Sequence, residues 1–319
     1  MSNKTQLSII IPVHNEEENI LELYKSLYNI LSLVGKTYEI IYVDDGSTDD
    51  SFEKIKSIED TRVKVVRFQR NYGKAAALSC GFKKSKGGDI VITMDGDLQD
   101  DPPKEIPRFI EELDKYDMVS GWKSKRYDPI SKTLPSRFFN WLTRFITGGV
   151  KINDFNCGYK AYHNYVVKNI NLYGEFHRYI PALAYWRGYS VGEIEVEHHP
   201  RIHGGESKYG VERLLKGFLD LITVTFLMMY KKRPLHMFGG IGFLLGFSGV
   251  FISVYLMFLW IIGGERIGER PLLMLGILLT VIGGAQFVSL GLIGELITNS
   301  RNNDDYIIKY DSYEMENGN

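Results

Sequence analysis

Short apolar runs alternate with amphipathic stretches along the first part of the chain. Leu7 to Val13, Tyr38 to Val43, and Val63 to Phe68 are bounded by turn-forming residues and predict buried strands. Strands that alternate with helices predict an α/β fold with a mostly parallel sheet. Between the first two runs, the apolar residues recur at helical spacing: Ile20, Leu23, Leu27, Ile30, Leu31 and Val34.

The next elements follow the same alternation. We predict a helix over Ala75 to Lys84, a strand over Val91 to Met94, a helix that begins at Pro102, and a short strand over Asp117 to Ser120. Asn15, followed by three glutamates, has the chemistry of a helix N-cap. No G-x-G-x-x-G motif follows the first strand, so a dinucleotide cofactor is not expected.

Polar residues follow the predicted strands at the edge where parallel sheets bind ligands. Asn15, Asp45 and Asp95 all lie there. The position of each residue at this edge favours a functional role over a solvated turn.

The D-G-D-L-Q stretch after the fourth predicted strand is a candidate metal site. Asp95, Asp97 and Gln99 occupy alternate positions, so an extended backbone would point three oxygen-bearing groups to one face. Such ligands suit Mg²⁺ or Mn²⁺, which are usually shared with substrate phosphates. Gly96 would let the backbone turn tightly or approach a ligand closely. The alternative is a solvated acidic turn before the helix at Pro102.

The character of the chain changes after residue 128. Residues 129–153 combine basic and aromatic side chains without one acidic residue, and we predict an amphipathic helix at about 132–148 in the membrane interface. An ordinary core-facing helix is the alternative. The histidine-rich stretch 197–203 matches no zinc spacing. We expect a flexible loop there in which Arg201 and Lys208 hold phosphate, the alternative being solvated charges.

Two uncharged apolar runs, Met237 to Ile262 and Pro271 to Gly294, are each longer than the roughly 20 residues that span a bilayer. They predict a transmembrane hairpin after a juxtamembrane amphipathic helix at 211–234. Basic residues 231–233 and Arg301 place both termini in the cytoplasm, with 299–319 as a polar tail. Small residues suited to close helix packing are Gly242, Gly246, Gly249, Gly276, Thr280 and Gly284.

Charge and cysteine content exclude several classes. The net charge of −1 gives no general signal for nucleic acid. Cys80 and Cys157 provide neither a disulfide framework nor a zinc cluster, and we expect both to be small buried residues. No secretory signal peptide is expected at the N-terminus. From the strand–helix alternation and the two apolar runs, we predict an α/β domain over 1–210 and a membrane part over 211–298.

The ordered motifs resemble the inverting family 2 glycosyltransferases with the GT-A fold. Within that family the chain is similar to the polyisoprenyl-phosphate glycosyltransferases, which include dolichol-phosphate mannose synthases and bactoprenol glucosyl transferases. The resemblance covers about residues 5–300. The stretches that carry it are 11–16 (I-P-V-H-N-E), 44–49 (D-D-G-S-T-D), 71–74 (N-Y-G-K), 94–102 (M-D-G-D-L-Q-D-D-P), 154–160 (D-F-N-C-G-Y-K) and 201–209.

The resemblance implies a role for each motif. Asp45 would read the nucleotide base with Pro12, Asn15 and Glu16 nearby, and Asp154 falls where the family places its candidate catalytic base. In the D-x-D stretch, Asp95 would hold the ribose or the metal, and Asp97 and Gln99 would bind the metal. Gly96 would contact the nucleotide sugar. Arg201 and Lys208 would clamp the diphosphate or the lipid phosphate.

One departure from the family pattern bears on the sugar. Mannose synthases show Gly-Ser-Arg where this chain has Gly121-Trp122-Lys123, which puts the contact at Lys123 in doubt and favours glucose over mannose. The absence of Q-x-x-R-W argues against polymerisation. The resemblance therefore implies transfer of a hexose, foremost glucose from UDP-glucose, to undecaprenyl phosphate at the cytoplasmic leaflet of the plasma membrane.

Other functions stay open on the sequence. The same reaction could use mannose, an N-acetylhexosamine or a formamido-arabinose. In another class, the chain would be a membrane-bound nucleotide-sugar sensor or partner with an idle site. We expect the protein to bind a nucleotide sugar, a polyprenyl phosphate and the bilayer, and not to bind nucleic acid. We also expect it to form a homo-oligomer.

Overall fold

The computed structural model describes residues 5–85, 88–124, 144, 150–172, 174, 176–197, 223, 226, 230, 233–263, 268 and 270–299. The chain divides into two compact units, 1–224 and 225–319. Seven strands of the first unit form one sheet in the order β3-β2-β1-β4-β6-β5-β7. The strands are β1 Leu7–Val13, β2 Tyr38–Asp44, β3 Val63–Arg67, β4 Ile90–Thr93, β5 Met118–Trp122, β6 Lys160–His163 and β7 Val191–Glu195.

The centre of the sheet is parallel, as predicted. β1 pairs in parallel with β2 on one side and β4 on the other, and β2 pairs in parallel with β3. Every residue of β2 and β4 is buried, which explains why these strands read as continuous apolar runs rather than as alternating ones. The carboxyl ends of these strands therefore meet at one edge.

β6 is the reversed strand of the sheet, and the sequence did not predict it. It runs antiparallel to β4 and β5, and its first residue, Lys160, pairs with Thr93 at the end of β4. The chain that enters an antiparallel strand lies at the edge where its parallel neighbours end. The motif at residues 154–160 is consequently placed beside the D-x-D stretch.

Helices cover the sheet, and the first one begins later than predicted. α1 buries Ile20, Leu23, Leu27 and Leu31 on the predicted apolar face. Asn15 does not cap it, because the helix starts at Ile20 after Asn19. The helices of the first unit are α1 Ile20–Val34, α2 Ser51–Lys56, α3 Lys74–Lys84, α4 Pro102–Glu112, α5 Asn164–Asn169 and α6 Ile180–Trp186, with a 3₁₀ turn at Phe176–Tyr179.

The second unit holds two long apolar helices, α7 Pro234–Gly263 and α8 Pro271–Asn299. Each is long and apolar enough to cross a membrane, and most of their large apolar side chains are exposed. Together they form the predicted hairpin. At one end, the Leu235 N–H of α7 donates to Oε2 of Glu295 in α8, at 3.3 Å.

Small residues bring the two helices into close contact, as predicted for five of the six positions; a Cβ on Gly284 would lie 2.9 Å from the backbone nitrogen of Gly246. A Cβ on Gly242 would lie 2.6 Å from the Gly284 carbonyl oxygen, and one on Gly249 would lie 2.7 Å from Oγ1 of Thr280. Nothing described lies within 4 Å of a Cβ on Gly276, so its predicted packing role within this hairpin was wrong. Larger side chains at the contacts would force the helices apart.

The predicted interfacial helix at 132–148 lies outside the described residues apart from Arg144. The juxtamembrane segment 211–234 is described only in part, and the tail from residue 300 lies outside the description.

Candidate active site

Asp45 fixes the loop that leads into α3. It is almost fully buried at the end of β2, and its two carboxylate oxygens accept the backbone N–H groups of Tyr72 and Gly73, at 2.7 and 2.8 Å. Each carboxylate oxygen has two lone pairs, so these bonds leave acceptor capacity for a ligand. Its role in reading a base stays a prediction, and its observed contacts place the start of α3.

Asn15 links the loop after β1 to the loop after β2. Its backbone is left-handed, with φ of 56°, its N–H donates to Oγ of Ser47, and its Oδ1 accepts the Thr48 N–H. The Glu16 N–H donates to Oγ of Ser51, at 2.9 Å. Pro12 lies one residue before the end of β1, paired with β2. These residues shape the edge at the predicted nucleotide position.

Asp95 is held between α3 and the loop before β6. The Lys74 ammonium contacts its Oδ1, and a Cβ on Gly158 would lie 2.4 Å from its Oδ2. Burial alone would raise the pKa of Asp95, but Lys74, Lys123 and Lys160 outweigh this effect and hold the pKa well below its ordinary value. Asp95 is therefore an ionised carboxylate. Gly158 packs so closely against it that a side chain at position 158 would have no room.

The backbone after β4 does not have the extended geometry that the sequence argument assumed. β4 ends at Thr93, and Leu98 takes a left-handed conformation with φ of 56°, so the chain turns before Gln99. Gly96 has no positive φ, and a Cβ there would have ordinary contacts from 3.6 Å. Gly96 is therefore not required by a tight turn, and its predicted close approach to a ligand stays a prediction. Asp97 is 7% exposed, and the Gln99 N–H donates to its Oδ1, at 3.4 Å.

Lys123 lies inside the acidic cluster rather than on the surface. Its ammonium is 3.3 Å from Oδ1 of Asp100, and both side chains are largely buried. Although burial alone would lower the pKa of Lys123, the carboxylates of Asp100, Asp95 and Asp97 hold it above its usual value. Burial raises the pKa of Asp100 to about 6. Asp100 was not among the predicted site residues.

Asp154 sits in a loop that is fastened from two sides. It is 1% exposed, its Oδ1 accepts the Asn156 N–H, and its own N–H donates to Oε1 of Glu193, each at 3.0 Å. Arg144 donates to the Ile152 carbonyl oxygen, at 2.8 Å. Arg144 belongs to the segment predicted as an interfacial helix, and its guanidinium contacts this loop. Asp154 therefore has a fixed orientation.

Lys160 is a buried cation that sequence analysis missed. It is 3% exposed, and its ammonium donates to the Cys157 carbonyl oxygen. Burial, foremost, and the nearby Lys74 charge lower its pKa to about 8, although Asp154 and Asp95 act in the opposite direction. A lysine at the first position of a buried strand could have indicated a site residue, because lysine is almost never fully buried without partners.

A further part of the same edge comes from the 3₁₀ turn after α5. Burial, together with Lys74, Arg178 and Lys160, holds the pKa of His177 far below its usual value, so its imidazole is neutral. Neither His177 nor Arg178 belongs to a motif that would have marked it as a site residue. The charges of Lys74, Lys160 and Asp95 all act on His177, so this turn belongs to the surroundings of the site.

Arg201 and Lys208 lie outside the described residues. The chain that leads to them is held by α4, because the Glu197 N–H donates to Oε1 of the buried Glu105, at 3.3 Å.

The residues after β4 fit a divalent cation that shares its coordination with substrate. Among the residues that the structure describes, no three Asp, Glu, His or Cys side chains are grouped to enclose a metal ion. Asp95 keeps a quarter of its side chain exposed and has its charge in place. The carboxylates of Asp95 and Asp97 would form a partial set of hard oxygen ligands, which Mg²⁺ or Mn²⁺ completes with water and phosphate oxygens. The predicted contribution of the Gln99 amide stays a prediction.

Replacing Lys160 by methionine should change how stability depends on pH. The pKa is about 8 in the folded protein and 10.5 in the unfolded chain, so the cost of burying the charge is fully present below pH 8. It disappears as the pH rises toward 10.5, by about 3 kcal/mol in total. We therefore expect the wild type to gain stability relative to Lys160→Met over this range, in thermal unfolding of the detergent-solubilised protein.

The exposed Lys83→Met on α3 is the matched control for that measurement. A flat difference between wild type and Lys160→Met from pH 8 to 10 would contradict the assignment of a buried charge to Lys160.

Comparison with known proteins assigns the chain to a family. Residues 8–170 match the model of Glycosyl transferase family 2. The chain is 38% identical over 319 residues to a dodecaprenyl-phosphate galacturonate synthase of Rhizobium johnstonii, covering 95% of this chain and 92% of the relative. It is 38% identical over 295 residues to an undecaprenyl-phosphate 4-deoxy-4-formamido-L-arabinose transferase of Edwardsiella ictaluri, covering 91% and 88%.

Solved structures agree on the fold. Mannosyl-3-phosphoglycerate synthase from Rubrobacter xylanophilus superimposes with a TM-score of 0.56 at 13% identity, covering 70% of this chain and 74% of that one. Glucosyl-3-phosphoglycerate synthase from Mycobacterium tuberculosis, in complex with Mn²⁺, UDP and glucosyl-3-phosphoglycerate, gives 0.51 at 19% identity, covering 70% and 79%. The protein belongs to glycosyltransferase family 2 and is an enzyme of the GT-A fold.

Proposed function

We propose that the protein transfers a sugar from a nucleoside diphosphate to a polyprenyl phosphate. The observation that carries this proposal is that three groups of residues meet at one sheet edge. They are the D-x-D stretch, the Asp154 loop and the largely buried lysines Lys123 and Lys160. The relatives named above act on dodecaprenyl or undecaprenyl phosphate, and they align over more than nine-tenths of this chain. The apolar hairpin suits an acceptor that stays in a bilayer.

The charges of the site fit this chemistry. A nucleoside diphosphate leaves readily only when the negative charge that develops on it is stabilised. When bound, a divalent ion at Asp95 and Asp97 would supply Lewis-acid stabilisation of that charge. Lys123, at the same edge, and Arg201 and Lys208 are the cations that we assign to phosphate oxygens.

Asp154 is our candidate for handling the acceptor. Its loop is fixed by Glu193 and Asn156, and Lys160 places a positive charge nearby. Such a cation reduces the repulsion between a carboxylate and a phosphate that approaches it.

The identity of the sugar is a finer proposal. The sequence alone favoured glucose from UDP-glucose, whereas the two relatives are named for galacturonate and formamido-arabinose. We therefore place UDP-galacturonate first, since that relative covers 95% of this chain and the formamido-arabinose transferase 91%, and keep UDP-glucose and a UDP-formamido-arabinose as the next candidates.

A product analysis tests the reaction and the sugar together. Purified protein would be supplied with undecaprenyl phosphate, Mn²⁺ and each radiolabelled nucleotide sugar in turn, and the extracted lipid identified by mass spectrometry. A sugar-1-phosphoryl lipid from one donor supports the proposal. Nucleotide-sugar binding without any lipid product would instead favour the sensor function.

We also propose that both termini are cytoplasmic and that the protein lies in the plasma membrane. Single cysteines would be introduced at residue 268, between the helices, and at residue 305, in a background without Cys80 and Cys157. An impermeant maleimide should label intact cells at 268 only. Labelling at 305 in intact cells would contradict this orientation. Self-association into a homo-oligomer stays a prediction.

A further inference from the structure

Lys74 has no part in the functions assigned above, yet it lies at the centre of the site. It is the first residue of α3, and its ammonium contacts Oδ1 of Asp95. Asp45 holds the preceding residues by accepting the Tyr72 and Gly73 N–H groups. The start of α3 is therefore fixed against the end of β2, and the Lys74 side chain reaches the end of β4 from there.

The partner of Lys74 is a carboxylate that has little freedom to move. Gly158 packs so closely against Asp95 that a Cβ would lie 2.4–2.6 Å from the atoms of its carboxylate. Asp97 and Asp100 add negative charge to the same cluster. A cation that binds Asp95 on its open side must compete with the ammonium, because the opposite side is closed by Gly158.

The contact between Lys74 and Asp95 is suited to exchange. The Lys74 side chain is 30% exposed and the Asp95 side chain 26%, so the pair is accessible to solvent. A lysine ammonium is a compact charge on a flexible stem, which can move to a new partner without rebuilding the backbone. Lys123, by contrast, is 12% exposed and pairs with a buried acid.

We propose that Lys74 is a displaceable counter-ion of Asp95, and that the displaced ammonium binds the diphosphate of the donor. The inference rests on the proposed function. A divalent ion held by Asp95 and Asp97 would neutralise those acids, and Lys74 would then lose its partner as the donor brings new negative charge to the same edge. The positive charge then stabilises the diphosphate both before and after the sugar leaves.

Two binding measurements on Lys74→Met should change in opposite directions. Without nucleotide, Mn²⁺ should bind about two- to fivefold more tightly than to the wild type, because the ammonium no longer competes for Asp95. With saturating Mn²⁺, UDP should bind about tenfold more weakly or worse, since a charged hydrogen bond is lost. Calorimetry on the full-length protein in detergent measures both, and Lys74→Arg should retain wild-type values more closely.

Lys83→Met, at the exposed end of the same helix, is the matched control and should change neither affinity. Lys74→Gln repeats the test if the methionine variant does not fold. Unchanged affinities, or weaker Mn²⁺ binding in the variant, would overturn the counter-ion role. If the wild type binds neither Mn²⁺ nor UDP, the proposed function itself fails, and this inference with it.

Discussion

Asp97→Asn is expected to lower sugar transfer by at least about 10³-fold, the scale at which loss of a key electrostatic contact affects turnover. The amide has the same shape as the carboxylate, so the largely buried position keeps its packing. What it loses is one negative charge from the ligand set that we propose for a hard cation. Initial rates measured over a range of Mn²⁺ concentrations should show that added metal no longer stimulates the variant.

Asp101→Asn is the matched control for that substitution. Asp101 precedes α4 and makes no side-chain capping hydrogen bond there, so transfer should stay close to the wild-type rate. The wild type in EDTA should fall to the level of Asp97→Asn. Full activity in EDTA, or in Asp97→Asn, would exclude a metal role for this residue.

Asp154→Asn is expected to lower turnover by about 10²- to 10⁴-fold and to leave nucleotide-sugar affinity within about twofold. A phosphate monoester has its second pKa near about 6, so the acceptor is mostly dianionic at neutral pH and has little proton to give. We therefore expect Asp154 to act chiefly by orienting the acceptor or the sugar hydroxyls. Its burial and its fixed loop are consistent with that role.

The dependence of Asp154→Asn on pH distinguishes orientation from proton transfer. An orienting carboxylate gives a deficit that stays constant from pH 6 to 9, whereas activity that returns as the acceptor ionises would identify a general base. Glu193→Ala provides the structural control, because it frees the Asp154 loop but keeps the carboxylate. Wild-type turnover in Asp154→Asn would show that the side chain is only structural.

The parallel half of the sheet and the apolar hairpin could be predicted because each depends on local pattern. β1 and β2 are largely apolar runs, β2 ends in Asp44, and burial on both faces is what such runs require. The length and composition of α7 and α8 likewise leave few alternatives. Asn15, Asp45 and Asp95 follow from the same reasoning, because parallel strands bring their carboxyl ends together.

What could not be predicted depends on contacts between distant segments. β6 has only four residues and begins with a lysine, so neither its strand state nor its reversed direction was evident. Its pairing with β4 and β5 brings Asp154, Gly158 and Lys160 to the site. At Asn15, by contrast, a local pattern predicted a helix cap that the structure does not have. Its Oδ1 accepts the N–H of Thr48 in a neighbouring loop instead of an N–H of the helix that follows.

The length of the hairpin helices has a consequence for the depth at which their ends lie. A helix of 30 residues, such as α7, is about 45 Å long, whereas the hydrocarbon core measures about 30 Å and the whole bilayer about 40–45 Å. The contact between the Leu235 N–H and Glu295 would then lie among the lipid headgroups, where a carboxylate stays hydrated. A thinner bilayer would increase the tilt of both helices, so hydrophobic mismatch becomes a property to which this enzyme should respond.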